Sequence, residues 1–391
     1  MTPIVPYVYL YYGSPTRQGD PVFDTIYTGH SFNSSNATRD VNAADLNADG
    51  LLDLIVLSYS SNPAKYYVLI QKPDGSFGDH TTYSTNNYSG SKYFLDDVNN
   101  DGAPDLITRY NYPSRVGVQI NYGLGNFPNP TYYSVTNYNN RIATGDVDSD
   151  GDIDIVATSG NSSLSANRIS ILKNNGNGTF ASQITMTQSN MPGSYIHLND
   201  IDKDGDLDMV LQGNSSFGGS PKIIVYKNDS FGAFTEFTSY VNDSRYGVNR
   251  DFDGDNFNDL ITFDNYNNNP NYAKFWKGSG DGNFNSGITI DTMFYGPVGD
   301  IDGDNDFDVF GYCRKESDNY VANLYFNDGN AQFSRSPVGR VTGSSLILCD
   351  IDNDGDLDLP YITVDNKVCI ALNKPEKLYL ISPRGTDEWI K

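Results

Sequence analysis

Histidine, cysteine, tryptophan and glutamate are all scarce in this 391-residue chain. It holds three His, three Cys and two Trp. Reading along it finds only Glu236, Glu316, Glu376 and Glu388 among the glutamates. His30, His80 and His197 are far apart, and no nucleophile elbow, zinc signature or Ser/His/Asp pattern surrounds them. The chain is therefore read as non-catalytic, with His197 expected as a satisfied core residue. Cys313, Cys349 and Cys369 are an odd set without metal-ligand spacing, flanked by apolar runs, which predicts buried free thiols. No stretch reaches the roughly 18 apolar residues of a membrane span, so no membrane insertion is expected. Basic residues are few and unclustered, 26 Lys and Arg against 49 Asp and Glu, which argues against a nucleic-acid partner. The stretch Met1-Thr2-Pro3-Ile4-Val5-Pro6 has neither a basic region nor a cleavage pattern, so no signal peptide is visible there.

What the chain does have is aspartate in a repeated form. Asp146-Val147-Asp148-Ser149-Asp150-Gly151-Asp152-Ile153-Asp154 reads D-x-D-x-D-G-x-x-D. Side-chain oxygens fall at loop positions 1, 3, 5 and 9, and position 7 can add a carbonyl. Hard cations take six to eight oxygens at about 2.3–2.6 Å, and Ca²⁺ tolerates irregular geometry that Mg²⁺ does not. Gly151, at position 6, permits the positive-φ turn that gathers the ligands. Seven such loops begin at Asp45, Asp97, Asp146, Asp200, Asp251, Asp300 and Asp350, at intervals of 49–54 residues. A period of that length signals a solenoid, propeller or array.

The candidate metal ligands are Asp45, Asn47, Asp49, Leu51 and Asp53 in loop one, and Asp97, Asn99, Asp101, Ala103 and Asp105 in loop two. Loop three offers Asp146, Asp148, Asp150, Asp152 and Asp154, and loop four Asp200, Asp202, Asp204, Asp206 and Asp208. Loop five offers Asp251, Asp253, Asp255, Phe257 and Asp259, and loop six Asp300, Asp302, Asp304, Asp306 and Asp308. Loop seven offers Asp350, Asp352, Asp354, Asp356 and Asp358. Asn256 and Asn305 stand at position 6 of loops five and six, and Asn also accepts a left-handed backbone. With Asn47 and Asn99 at position 3, loops one and two bring fewer carboxylates and should bind more weakly. Up to seven Ca²⁺ are expected. Four or five carboxylates within nine residues repel one another unless a cation lies among them. The loops carry thirty of the 49 acidic residues, so seven Ca²⁺ would take the formal charge from −23 to −9.

An EF-hand is excluded, because position 12 is Val56, Ala157, Leu211 or Tyr361 where a bidentate Glu is needed. After each loop the chain runs into short apolar stretches such as Met209-Val210-Leu211, which read as strands. One unit proceeds from a strand at Tyr195–Leu198 through the metal loop to a second at Leu207–Leu211 and a third at Lys222–Tyr226. A turn ending in Phe234 follows, then a fourth strand near Phe237–Tyr240. The turn recurs at Phe77, Phe127, Phe180, Phe284 and Phe333. Four antiparallel strands per unit make the blade of a β-propeller.

Together, the D-x-D-x-D-G-x-x-D loops and G-x-F turns resemble FG-GAP/VCBS-repeat propellers. That group includes the integrin α-subunit head and seven-bladed fungal lectins of the Psathyrella type. The resemblance implies an all-β, seven-bladed propeller occupying 1–391 as one domain, with Ca²⁺ between the first and second strands of each blade. Val22–Thr28 is expected to complete the blade begun at the C-terminus, with Tyr7–Tyr12 and Lys367–Leu372 competing for its third-strand place.

Function should lie on the face opposite the metal loops. The second-to-third connections there (110–113, 160–166, 213–220, 266–272 and 315–320) and the fourth-to-first ones (86–88, 137–140 and 240–246) are less repetitive. Variable loops on a rigid scaffold are where binding concentrates. Their Tyr and Asn suit sugars, since an aromatic face packs on a pyranose and amides bond hydroxyls. The expected function is a calcium-stabilised, extracellular or cell-surface lectin or adhesin with glycan partners. The alternatives are an integrin-like module binding extracellular proteins and a carbohydrate-active propeller enzyme. The S-x-D-x-G-x-T-W box of sialidase propellers is absent.

Overall fold

The structure, a computed structural model, describes residues 22–31, 38–58, 65–84, 90–111, 113–136, 139–159, 167–188, 195–213, 222–241, 246–263, 272–292, 296–314, 320–339, 343–363 and 367–374. Every strand in it belongs to one of seven four-stranded antiparallel sheets, each built from sequence neighbours except at the seam where the ring closes. Blade four shows the pattern: Tyr195–Asn199, Asp208–Gly213, Lys222–Lys227 and Thr235–Val241 pair in chain order. Blade seven takes Gly343–Leu346, Leu359–Thr363 and Lys367–Lys374 from the C-terminal region, and Val22–Ser31 pairs with Lys367–Lys374 as its outer strand. Lys367–Lys374 thus holds the third-strand place, and Tyr7–Tyr12 lies outside the described residues. Among the described residues no helix is long and apolar enough to cross a membrane.

The second strand of each blade is buried along its length, as in Asp53–Ser58, Asp154–Ser159 and Asp208–Gly213, because both faces of the sheet pack on neighbouring blades. Each of the seven apolar clusters spans one seam between consecutive blades. Two residues of the repeat recur at six of the seven seams among the described residues. The apolar residue at loop position 2 (Leu46, Val98 or Val147) faces the next blade, whose turn Phe (Phe127, Phe180 or Phe234) comes to meet it. The closing seam follows the same rule, with Ile351 of blade seven packed with Phe77, Val41 and Leu54 of blade one. Cys369 is buried in the seam before it, Cys349 is half-buried beside Ile351, and neither forms a disulfide. The side chain of Cys313 lies outside the described residues.

A hydrogen-bonded belt runs around the ring at the metal-loop end. The position-9 carboxylate of every loop is fully buried, at Asp53, Asp105, Asp154, Asp208, Asp259, Asp308 and Asp358. Its Oδ2 accepts the backbone N–H of loop position 2 at 2.9–3.3 Å. Its Oδ1 accepts the backbone N–H of the residue that ends the third strand, at 2.7–2.9 Å. In six blades that residue is Asn or Gln, and its amide donates to the preceding blade's loop. The bonds run from Asn121 to Leu46 O, Asn174 to Val98 O, Asn228 to Val147 O, Asn327 to Phe252 O and Asn373 to Ile301 O. Gln71 closes the belt on Ile351 O across 280 residues of sequence. Blade five has Gly278 there, because a Cβ would lie 2.3 Å from the Asn258 carbonyl oxygen, and Asn258 itself donates to Asp200 O.

Asn228 tests the belt. Its amide donates to two carbonyls, Val147 O at 2.8 Å and Leu207 O at 3.0 Å. Asn228→Ala leaves both unpaired, and each buried unsatisfied group costs about 1–3 kcal/mol. Denaturant melts should show a loss of about 2–4 kcal/mol. Asn175→Ala, at the exposed residue after the belt's Asn174, should stay within about 0.5 kcal/mol.

Candidate metal centres and ligand face

The loops fold by the same local rules. The position-1 carboxylate caps each turn: its Oδ2 accepts the N–H of position 6, as in Asp45 with Gly50 at 2.8 Å and Asp251 with Asn256 at 2.7 Å. The position-5 carboxylate accepts the N–H of position 7, as in Asp150 with Asp152 at 3.0 Å. Position 6 is left-handed throughout, including Asn256 (φ 67°) and Asn305 (φ 72°). A second left-handed position, unforeseen in the sequence, is position 4. Ala48, Asn100, Ser149, Lys203 and Asn353 adopt φ of 58–66°, whereas loops five and six place Gly254 and Gly303 there. The two loops that lack glycine at position 6 thus carry it two residues earlier.

Five of the loops bring carboxylates together. Ligand oxygens lie within 4.8 Å of one another in Asp146/Asp148/Asp154, Asp200/Asp202/Asp208, Asp251/Asp253/Asp255, Asp300/Asp302/Asp304 and Asp350/Asp352/Asp358. Several of these oxygens are buried without a hydrogen-bond donor. They are Oδ1 of position 3 (Asp148, Asp202, Asp253 and Asp302) and Oδ1 of position 7 (Asp206, Asp306 and Asp356). A buried, unpaired carboxylate oxygen is expensive, and a cation is the partner such a donor set fits. These aspartate clusters could bind metal ions. Each position-9 oxygen already accepts one N–H but has a second lone pair to offer.

Loops one and two are arranged differently. At position 3, the Asn47 amide donates to Asp49 at 2.9 Å, and the Asn99 amide donates to Asp101 at 2.8 Å. These loops satisfy their own position-5 carboxylates, and neither forms a carboxylate cluster of that kind. At position 7, Leu51, Ala103 and Phe257 have no side-chain oxygen and leave only the carbonyl. Asp152 turns outward and accepts the Asn100 amide of the neighbouring loop at 2.7 Å.

Burial raises the position-9 carboxyls well above the usual range. Asp53, Asp154, Asp259 and Asp358 are pushed up to about 6, and Asp105, Asp208 and Asp308 to about 7. Desolvation is the main cause in each. The two backbone N–H bonds oppose it, and nearby carboxylates add to it.

On the opposite face, most of the connecting loops singled out for binding lie outside the described residues. Tyr110 is described and is wholly buried, edge-on to Tyr132 at 5.4 Å, so it is a packing residue and not a sugar platform. Tyr240 is likewise engaged, its hydroxyl accepting the N–H of Phe284 in the next blade's turn at 2.8 Å. Tyr272, which opens the third strand of blade five on that face, is exposed. Equivalent positions on the first strands of blades three, four and five form a stack unmarked in the sequence. Arg141 lies 4.1 Å over Tyr195, which meets Tyr246 at 4.6 Å. His197, two residues into the same strand, is satisfied only in part, its ring bonding the Gly247 backbone. Its Nε2 has no partner, and burial together with Arg250 pushes its pKa down to about 4.

Residues 97–157 and 146–211 match the family model of the FG-GAP-like repeat. No curated protein matches the chain. Among solved structures it is similar to a lectin from Agrocybe aegerita, described as recognising non-reducing terminal N-acetylglucosamine. The identity is 19%, the match covers 78% of this chain and 81% of the lectin, and the TM-score is 0.53.

The raised carboxyl values fix a pH dependence. A carboxyl with a folded pKa above its unfolded value of about 3.9 binds protons preferentially in the native state. Its contribution is complete below pH 4 and is lost as pH rises through about 6–7. Calcium-free protein should therefore melt at a falling temperature between pH 4 and pH 7. A melting temperature that rises over this window would contradict the assignment.

Proposed function

We propose that this FG-GAP-repeat propeller is a calcium-stabilised extracellular carbohydrate-binding module, a lectin or adhesin that takes glycans on the face opposite its metal loops. The metal reading is carried by the buried carboxylate oxygens that no protein donor reaches, at Asp148, Asp202, Asp253 and Asp302. The ligands are those of positions 1, 3, 5, 7 and 9, and Ca²⁺ is favoured over Mg²⁺ because the donors are numerous, hard and irregular. Loops three to seven are the strong sites. Extracellular modules of this kind typically bind with Kd about 10⁻⁴–10⁻³ M, which suits the calcium outside cells.

The glycan reading is supported by the likeness of fold to the Agrocybe aegerita lectin and by Tyr272 on the variable face. Several weak sites around one ring would add up by avidity. The scaffold supplies binding and no chemistry, since the aspartates are occupied as turn caps, belt acceptors and cation ligands. A protein-binding adhesion module is the second reading. It is favoured by Tyr122, Leu124 and Phe231, which protrude from the metal-loop face with 70–73% of their surfaces exposed.

Saturating calcium should raise the melting temperature, because each independent site adds RT ln(1 + [Ca²⁺]/Kd) to the unfolding free energy. On a glycan array the calcium-loaded protein should bind a restricted set of terminal sugars. Silence across the array, with capture of a cell-surface protein blocked by Leu124→Asp or Phe231→Asp, would transfer the function to the second reading.

A further inference from the structure

The residue just before the belt Asn occupies one place in every blade, and its identity divides the loops. It is Ile70 and Ile120 in blades one and two, Lys173, Lys227 and Lys277 in blades three to five, Phe326 in blade six and Leu372 in blade seven. The side chain crosses toward the next blade's turn, where a glycine makes room for it. A Cβ on Gly178 would lie 2.6 Å from Ile120, one on Gly232 3.2 Å from Lys173, and one on Gly282 2.7 Å from Lys227. In the lysine blades the ammonium lands on the metal loop of its own blade. Lys173 bonds Asp148 Oδ2 at 2.9 Å, and Lys227 bonds Asp202 Oδ2 at 2.7 Å. Lys277 reaches two carboxylates, bonding Asp253 and also Asp255 at 2.7 Å. At the next turn Ala331 stands where the other blades have glycine.

Each ammonium thus holds one oxygen of the position-3 carboxylate, while the other oxygen, Oδ1, stays buried and unpartnered in the loop. The Asp202 side chain is 10% exposed, and Asp206 across the same loop, also with a bare Oδ1, is 4% exposed. Loop six carries five aspartates and Phe326 at the lysine's place.

We infer that Lys173, Lys227 and Lys277 are tethered counter-ions of loops three, four and five, displaced when calcium binds, so that loop six fills at lower calcium than they do. The inference rests on the calcium reading of the loops. Its physical basis is competition: a fixed positive charge bonded to a ligand carboxylate repels a divalent ion there and already neutralises part of the charge that attracts it. Lys277 spans two ligands, so loop five should be the last of the three to fill.

The test is calcium titration of the full chain by isothermal calorimetry and equilibrium dialysis, comparing wild type with K173M/K227M/K277M. The number of ions bound should not change, and three sites should tighten by about tenfold or more. The variant should melt lower than wild type without calcium and gain more from calcium. Equal affinities in the two proteins, or weaker ones in the variant, overturn the inference and leave the calcium reading standing. No calcium bound by either protein at millimolar concentration removes both. Should the triple variant fail to fold, acetylation of wild-type lysines read by mass spectrometry serves instead. Calcium should increase labelling of Lys173, Lys227 and Lys277, now 26%, 28% and 40% exposed, and leave Lys72 unchanged. Unchanged labelling under calcium that raises the melting temperature overturns the inference.

Discussion

Seven buried carboxylates, one at the ninth position of each acidic loop, hold this ring together. Each receives one N–H from its own loop and one from the end of the third strand, so it fixes where the loop leaves the sheet. In six links the loop residue that donates to it also presents a carbonyl to the next blade's Asn or Gln, and Asn258 makes the seventh link on Asp200 O, so the seven clamps form a closed circuit. A charge without compensation is costly in such a place, and burial accordingly pushes the acids upward. The belt thus assembles acidic loops at an electrostatic cost, and a cation bound among their carboxylates would relieve it.

The same geometry ties packing to the loops. Position 2 supplies the belt's donor and acceptor through its backbone and the seam's apolar plug through its side chain. A metal loop and a hydrophobic seam are therefore one repeating part, and the conformation of a loop is coupled to the contact between blades. The closing seam uses the same part, with Ile351 against Phe77 and Val41. Among the described residues the ends are also joined by the strand Val22–Ser31 and by Ser345, whose hydroxyl donates to Asp40 Oδ1 at 2.9 Å.

Most of the fold was legible because it is periodic. The spacing of the aspartates located the loops, the apolar runs after Asp154 and Asp208 located the second strands, and the repeated turn Phe located the third-to-fourth connections. What escaped was whatever periodicity does not encode. Asp154 and its equivalents read as metal ligands, yet each is first an acceptor for two backbone donors that lie 7 residues before and 15–20 after it. The left-handed Lys203 and Ala48 carry no sequence mark, because the aspartate that caps the turn imposes their conformation. Lys173, Lys227 and Lys277 stand 22–25 residues from the acids they touch, and only the folded third strand brings them back. Tyr110 had the composition of a ligand loop but the register of a core residue. The variable face has no repeat to read, so sequence pattern does not position its side chains.

The central claim is that the acidic loops exist to hold calcium. A crystal grown in millimolar calcium chloride and measured at a long wavelength gives the direct reading. Anomalous difference peaks coordinated by positions 1, 3, 5, 7 and 9 of loops three to seven are the predicted result. Loops that keep the same backbone but show no anomalous peak would contradict the account.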